Sequence, residues 1–278
     1  MRYRISQSIA VSMAVLLACI AFATNATAQT PAKTVVSPQD WKAIDHCLQI
    51  IRQSQTTDGM IRMNGAGDLV WTVPYFSNFA AMALLAANDT RANPRDVNHV
   101  QRWLLWYADN QEPDGTIYDR QGTLSAYESN GKRDSTDSYA ATFLMVTWRY
   151  KQAIDGESAP EITNAATKAL AAIQAVLQKA GLTIAKLDYP IKYLMDNTEV
   201  YGGLQEGASF FDSVGRKAEA EKARTMALGI ARSLGAYWSE EDRCFAYALD
   251  MKGKFSRGFS EPYPHGLEIG RASCRERV

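Results

Sequence analysis

Four tyrosines, Tyr75, Tyr139, Tyr201 and Tyr263, stand 64, 62 and 62 residues apart. Each follows the same layout: a helical stretch ends, a polar loop rich in Gly and Asp runs on, and the tyrosine opens the next helix. A period this regular implies repeated supersecondary units that stack to share one core. Two residues before the tyrosines stand Val73, Asp137, Glu199 and Glu261. Three of the four units therefore place a carboxylate at one spot, so the repeat points to a site as well as to a fold.

The ends of the chain stand outside this pattern. Arg2 and Arg4, the apolar run Ile9 to Phe22 and the small-x-small triplet Ala26-Thr27-Ala28 read as a signal peptide over residues 1–28. The run is too short to span a membrane. Export to the periplasm or the medium is expected; the alternative is a lipoprotein anchored at Cys19. Residues 269–278 (IGRASCRERV) read as adapter-derived sequence, because they break the pattern where a helix is due after Tyr263. That leaves residues 29–268 as one helical domain, expected to be incomplete at its C-terminus. Without the two ends, 25 basic and 29 acidic residues remain, a balance that offers nucleic acid no footprint. Two cysteines, Cys47 and Cys244, can form at most one disulfide.

Apolar periodicity predicts seven helices. They run from Ser37-Pro38 to about Gln53, Pro74 to about Ala87, Arg95 to Asn110, Ser135 to Ile154, about Pro160 to Lys179, Asn197 to Val214 and about Arg216 to Trp238. The second (FAAMALLAA) is so apolar that burial all round is expected. Connections alternate between short and long. In an up-down helical array the long ones emerge at one rim, where function tends to live. The period is too long for a tetratricopeptide solenoid, and the one-sided loops suit a toroid of inner and outer helices.

Asp134-Ser-Thr-Asp137-Ser-Tyr139 and Asp196-Asn-Thr-Glu199-Val-Tyr201 share the pattern acidic-x-Thr-acidic-x-Tyr; Phe259-Ser-Glu261-Pro-Tyr263 lacks the first acid. Asp134 and Asp196 read equally as helix caps, with the later acid reaching back in a capping box. The functional reading is paired carboxylates across a cleft: glycosidic cleavage needs one acid to protonate the leaving oxygen and one carboxylate to activate water or attack the sugar. Glu199, beside aromatic residues, is the expected acid and Asp137 the expected base, with exchange of roles open; Glu261 is the third catalytic candidate. Asp134, Asp196, Trp71, Tyr75, Tyr139, Tyr189, Tyr201, Tyr263 and His265 are candidate substrate contacts, though Trp71 and Trp238 could instead seal the core. Arg133 could hold a charged substrate or pair with its neighbour. His46, His99 and His265 give no metal spacing, and phosphate-binding glycine loops and nucleophile elbows are absent.

The export signal, the helical hairpins, the turns Gln55-Thr-Thr-Asp58-Gly59 and Gln111-Glu-Pro-Asp114-Gly115, and the acids opening the inner helices together resemble the six-hairpin glycosidases. The resemblance covers about Ser37 to Leu267. It implies an all-α (α/α)6 toroid and an exported glycoside hydrolase, expected to be inverting, acting on an oligo- or polysaccharide without cofactor, metal or nucleic acid. Two alternatives remain at this point. One is a polysaccharide lyase on a related toroid, using Tyr201 or Tyr263 with His265. The other is a non-catalytic glycan-binding or envelope protein.

Overall fold

A computed structural model describes residues 37–64, 67–90 and 93–256. The signal peptide, residues 269–278, and Glu261, Tyr263 and His265 lie outside the described residues. The chain divides into two units between His46 and Cys47, inside the first helix, α1 (Pro38–Ser54). In the first unit Ser37 opens that helix with a reciprocal cap: its hydroxyl accepts from Asp40 N–H at 3.1 Å while its own N–H donates to the Asp40 carboxylate at 3.3 Å.

The second unit holds the other helices: α2 (Pro74–Thr90), α3 (Pro94–Asn110), α4 (Asp137–Ala153), α5 (Pro160–Val176), α6 (Leu194–Ser213) and α7 (Lys217–Ser233). Pro at the first helical position of α1, α2, α3 and α5 supplies a preset φ where no N–H is needed. Helices α2, α4 and α6 pack side by side as the inner layer, and α3, α5 and α7 back them. The repeat is visible in atomic register. Asn78 on α2 donates to Thr142 on α4, 64 residues on. Gly203 on α6 lies against Ala141 on α4, 62 residues back, so closely that a Cβ would meet the Ala141 carbonyl oxygen at 2.5 Å. Behind them, Trp103 donates to Asn78 Oδ1 at 3.0 Å, and Tyr107 stacks on Phe143 with centroids 3.9 Å apart.

The long connections zip together. β1 (Leu69–Thr72) pairs with β2 (Arg120–Thr123), and β2 with β3 (Ala126–Ser129), joining the α1–α2 loop to the α3–α4 loop. Thr136 N–H donates to Ala185 O, joining that loop to the α5–α6 loop. There β4 (Lys192–Tyr193) pairs with β7 (Ala248–Leu249), and β7 with β8 (Phe255–Ser256). After α7, a 3-10 turn (Leu234–Tyr237) leads into the hairpin β5 (Trp238–Ser239) and β6 (Cys244–Phe245).

The QxxDG turns lock neighbouring hairpins. Gln55 Nε2 donates both to Gly59 O and to His99 O on α3; Gln111 Nε2 does the same to Gly115 O and Ala165 O on α5. Gly115 has φ +87 and no room for a Cβ, which would sit 2.1 Å from Lys168 O. A third turn of the same build, with Gly181 N–H donating to Gln178 O, packs on α7 without the aspartate.

Two expectations need correction. Helix α2 is not buried all round: Phe76 and Phe79 are 46% and 42% exposed, and Ala83 and Ala86 lie exposed at continuing helical spacing. α4 packs on one flank of α2, and no described helix covers the other. Nor does Tyr201 open its helix. α6 begins at Leu194, two turns earlier, because Leu194 packs on the cluster of Leu182, Tyr237, Ala246 and Leu249.

Candidate active site

A cleft of about 310 Å³, with the open solvent at its mouth included, lies where three hairpins meet the rim. Val73, Tyr75 and Phe76 line it from the first, Asp134, Ser135, Ser138 and Tyr139 from the second, and Met195 and Asp196 from the third. Tyr75 stacks on Tyr139 with centroids 6.0 Å apart. The repeat-related acids Asp134 and Asp196 thus share one cleft.

Neither acts as a helix cap. α4 takes Thr136 at its cap position without a side-chain cap bond, and the early start of α6 puts Asp196 inside the first turn. Asp196 is buried, and its pKa is pushed up to about 9, first by desolvation, then by repulsion from Asp137, Glu199 and Asp134. Glu199, one helical turn on, is less buried than Asp196 and is not among the residues that line the cleft; Tyr75 donates its hydroxyl to its Oε1 at 2.6 Å. Burial raises the Glu199 pKa, and the bonds from Tyr75 and Ser138 oppose the rise. Glu199 Oε2 and Ser138 Oγ are enclosed without a hydrogen-bond partner of normal length among the described residues. Unsatisfied polar atoms of this kind are costly and mark places where a ligand or water completes the network.

Asp137 occupies a different position from its repeat partner Glu199. It is 0% exposed, and it does not line the cleft. Ser138 N–H donates to its Oδ1 at 2.9 Å and the Thr183 hydroxyl to its Oδ2 at 2.7 Å. Desolvation pushes its pKa up to about 7 against those two bonds, with the Glu199 charge adding to the rise. Asn197 ties this floor together. Its Oδ1 accepts Thr183 N–H, and its Nδ2 donates to Thr183 O, Tyr193 O and the Tyr237 hydroxyl.

Sequence reasoning missed Asp119, Ser138, Thr183, Asn197 and Tyr237. Asp119 accepts the Tyr139 hydroxyl at 3.0 Å, and its pKa is raised to about 6, chiefly by burial. It has no repeat counterpart and so no periodic signal. Asn197 was in view inside the Asp196-Asn-Thr-Glu199 motif, but its role needs the α5–α6 loop in place.

The other candidates spread along the rim. Tyr189 and Tyr193 share a hydroxyl contact at 3.1 Å, and Tyr193 meets Tyr247 edge-on. Tyr201 accepts from Gln205 on α6. Trp71 is 50% exposed on β1, and Trp238 packs edge-on against Phe245. Arg133 lies over Tyr118 and donates to Thr136, and Lys186 donates to Arg133 O. His99 is half-buried on α3 against Gln55. Among the described residues, no helix is long and apolar enough to cross a membrane, and no cluster of His, Cys, Asp and Glu is arranged to hold a metal ion.

No family model and no curated protein matches the sequence. Solved structures do match in three dimensions. A sugar epimerase from a ruminal bacterium aligns with TM-score 0.62 at 11% identity, over 87% of this chain and 70% of its own. A possible member of the GH105 family from Salmonella enterica serovar Paratyphi A gives 0.57 at 12%, over 81% and 60%. An unsaturated glucuronyl hydrolase variant solved with dGlcA-Glc-Rha-Glc gives 0.54 at 14%, over 75% and 60%. The chain thus spans 60–70% of the lengths of these neighbours. What it shares with them is the fold, an (α/α)6-type toroid of helical hairpins.

Proposed function

We propose that this protein is an exported glycoside hydrolase that cleaves an oligo- or polysaccharide with carboxylate acid/base chemistry and inversion at the anomeric carbon. The observation that carries the reading is Asp196, a buried carboxylate in the cleft lining whose pKa is pushed up by desolvation and by its acidic neighbours. Asp196 holds its proton at neutral pH and lines the cleft, so the proton-donor role falls to it rather than to Glu199. Glu199, held through Oε1 by Tyr75 one helical turn from Asp196, takes the proton of the attacking water. Asp137, sealed beneath them, acts as a positioning residue whose charge helps to keep Asp196 protonated. Export rests on Arg2, Arg4, Ile9 to Phe22 and Ala26-Thr27-Ala28, and predicts a mature N-terminus at Gln29.

The likeness to a sugar epimerase supports a second reading, isomerisation of a free sugar. That chemistry takes a proton from carbon and returns it to carbon, and suits a base with a near-neutral pKa, such as histidine. The described lining of this cleft supplies carboxylates and tyrosine hydroxyls instead. A glycan panel separates the two readings by mass, since hydrolysis adds water and isomerisation adds nothing. Release of reducing ends that Asp196→Asn and Glu199→Gln both abolish is the expected result. Release unchanged in either variant removes that residue from the mechanism, and a product of unchanged mass ends the hydrolase reading.

A further inference from the structure

The rim sheet β1–β2–β3 has an outward face that the cleft chemistry does not use. In its antiparallel ladder Trp71 stands opposite Gln121, and Gln121 opposite Glu128; Leu69 stands opposite Thr123, and Thr123 opposite Ala126. Residues directly opposite one another project from the same face of a sheet. The face that carries Trp71 also carries Leu69, 71% exposed, beside the exposed Gln121 and Glu128. The alternate residues Val70 and Thr72 are buried beneath.

This face is held still. β1 is an edge strand, yet its outer backbone groups are occupied: Trp71 N–H donates to Asn64 Oδ1, Leu69 O accepts from Asn64 Nδ2 at 2.6 Å, and Trp71 O accepts from Met63 N–H at 2.8 Å. On the underside, the Tyr127 hydroxyl donates to Asp58 and accepts Trp106 Nε1–H. A side chain presented on a fixed backbone loses little further freedom when it binds.

We infer that this face is a carbohydrate-binding platform continuous with the cleft, on which neutral sugar units of a chain substrate stack against Trp71 and hydrogen-bond to Gln121 and Glu128. A flat indole offers the apolar C–H face of a sugar ring a large contact area, and an amide and a carboxylate beside it suit the ring hydroxyls. Two residues beyond Trp71 the chain reaches Val73 in the cleft lining, about 7 Å along an extended strand. The Glu128 carboxylate disfavours phosphate and uronate at this subsite, which selects neutral glycosyl residues. This inference deepens the glycoside hydrolase reading and rests on it.

The test uses the full chain carrying Asp196→Asn, so that binding is read without turnover. Calorimetric affinities are measured for cello-, malto- and laminari-oligosaccharides from disaccharide to hexasaccharide. In at least one series affinity is expected to rise with chain length. Adding Trp71→Ala should erase that rise, with about a 10-fold loss for the longest member, and Gln121→Ala should lower it by about 3-fold. Leu228→Ala, an exposed apolar residue on α7, should change nothing. No rise with length in any series, or a rise that survives Trp71→Ala, overturns the platform. A Trp71-dependent self-association seen by ultracentrifugation without glycan binding also overturns it and makes the face a protein contact. Turnover is assayed separately in the wild type: length-dependent binding with no product in any series leaves the platform standing and refutes the hydrolase reading.

Discussion

Replacing Asp196 by Asn should stabilise the protein while abolishing its chemistry, and the size of the effect follows from the site. The Asp196 pKa is pushed up to about 9 in the folded chain, against 3.8 for an aspartate free in water. Below about pH 4 both states carry the proton, and the residue has no pH-dependent effect. Between there and about pH 9 the unfolded chain releases a proton that the folded chain keeps, so stability falls as pH rises, by about 1.4 kcal/mol per pH unit. At pH 7 the accumulated cost is about 4 kcal/mol. Asn is close in shape to the protonated acid and never ionises, so the variant escapes this cost. Urea unfolding followed by tryptophan fluorescence from about pH 4.5 to pH 8 reads it directly. The two proteins should nearly coincide at the acid end and diverge steadily above it, with the variant more stable by about 3–4 kcal/mol near neutrality. Parallel curves, or a variant no more stable at pH 7, would refute the argument that Asp196 is held protonated by burial and by its acidic neighbours.

Tyr75→Phe removes the hydroxyl that stabilises the Glu199 carboxylate, so the Glu199 pKa should rise further. The acid limb of the pH–rate profile should move up by about one pH unit, the worth of one hydrogen bond to a charged group. Gln111→Ala strips the amide that bridges Gly115 O and Ala165 O, and should cost about 1–3 kcal/mol in denaturant unfolding with turnover per folded molecule retained. Arg52→Ala leaves the Asp96 carboxylate, 2% exposed and held bidentately in the native chain, without its charge partner. A loss of about 3 kcal/mol is expected, and Arg52→Ala/Asp96→Asn should recover part of it.

The helices were legible because each carries its own signal. Proline marks the start of α1, α2, α3 and α5, and apolar spacing such as Ala223, Ala227 and Ile230 marks the buried stripe of α7. The rim was not legible in the same way. Arg120–Thr123 and Ala126–Ser129 have no strand pattern and become β2 and β3 by pairing across a turn and onto β1, an outcome that depends on loops brought together by the helices. The start of α6 was misplaced for a related reason, since the burial of Leu194 against Tyr237 and Leu249 is a tertiary fact. In the site, the period paired Asp134 with Asp196, which share the cleft lining, and Asp137 with Glu199, which sit in different surroundings. It could not tell that Thr183, from the following loop, closes over Asp137, while Tyr75, from the first hairpin, binds Glu199.

The same loop contacts explain how such a costly site is held. Several carboxylates withdrawn from water in one place repel one another and work against folding. They stay together because the groups that enclose them belong to elements fixed elsewhere. Thr183 follows the turn that packs Gly181 on α7, Asn197 is anchored to Tyr193 and Tyr237, and Tyr75 sits at the foot of β1, itself paired to β2. The glutamine and glycine turns contribute nothing to catalysis directly. By joining each hairpin to the next they supply stability that the acids consume, the trade-off between stability and activity expected of a strained functional centre. Weakening a turn such as that at Gln111 should therefore reduce the margin for folding before it alters the chemistry. Neutralising Asp196 should do the reverse.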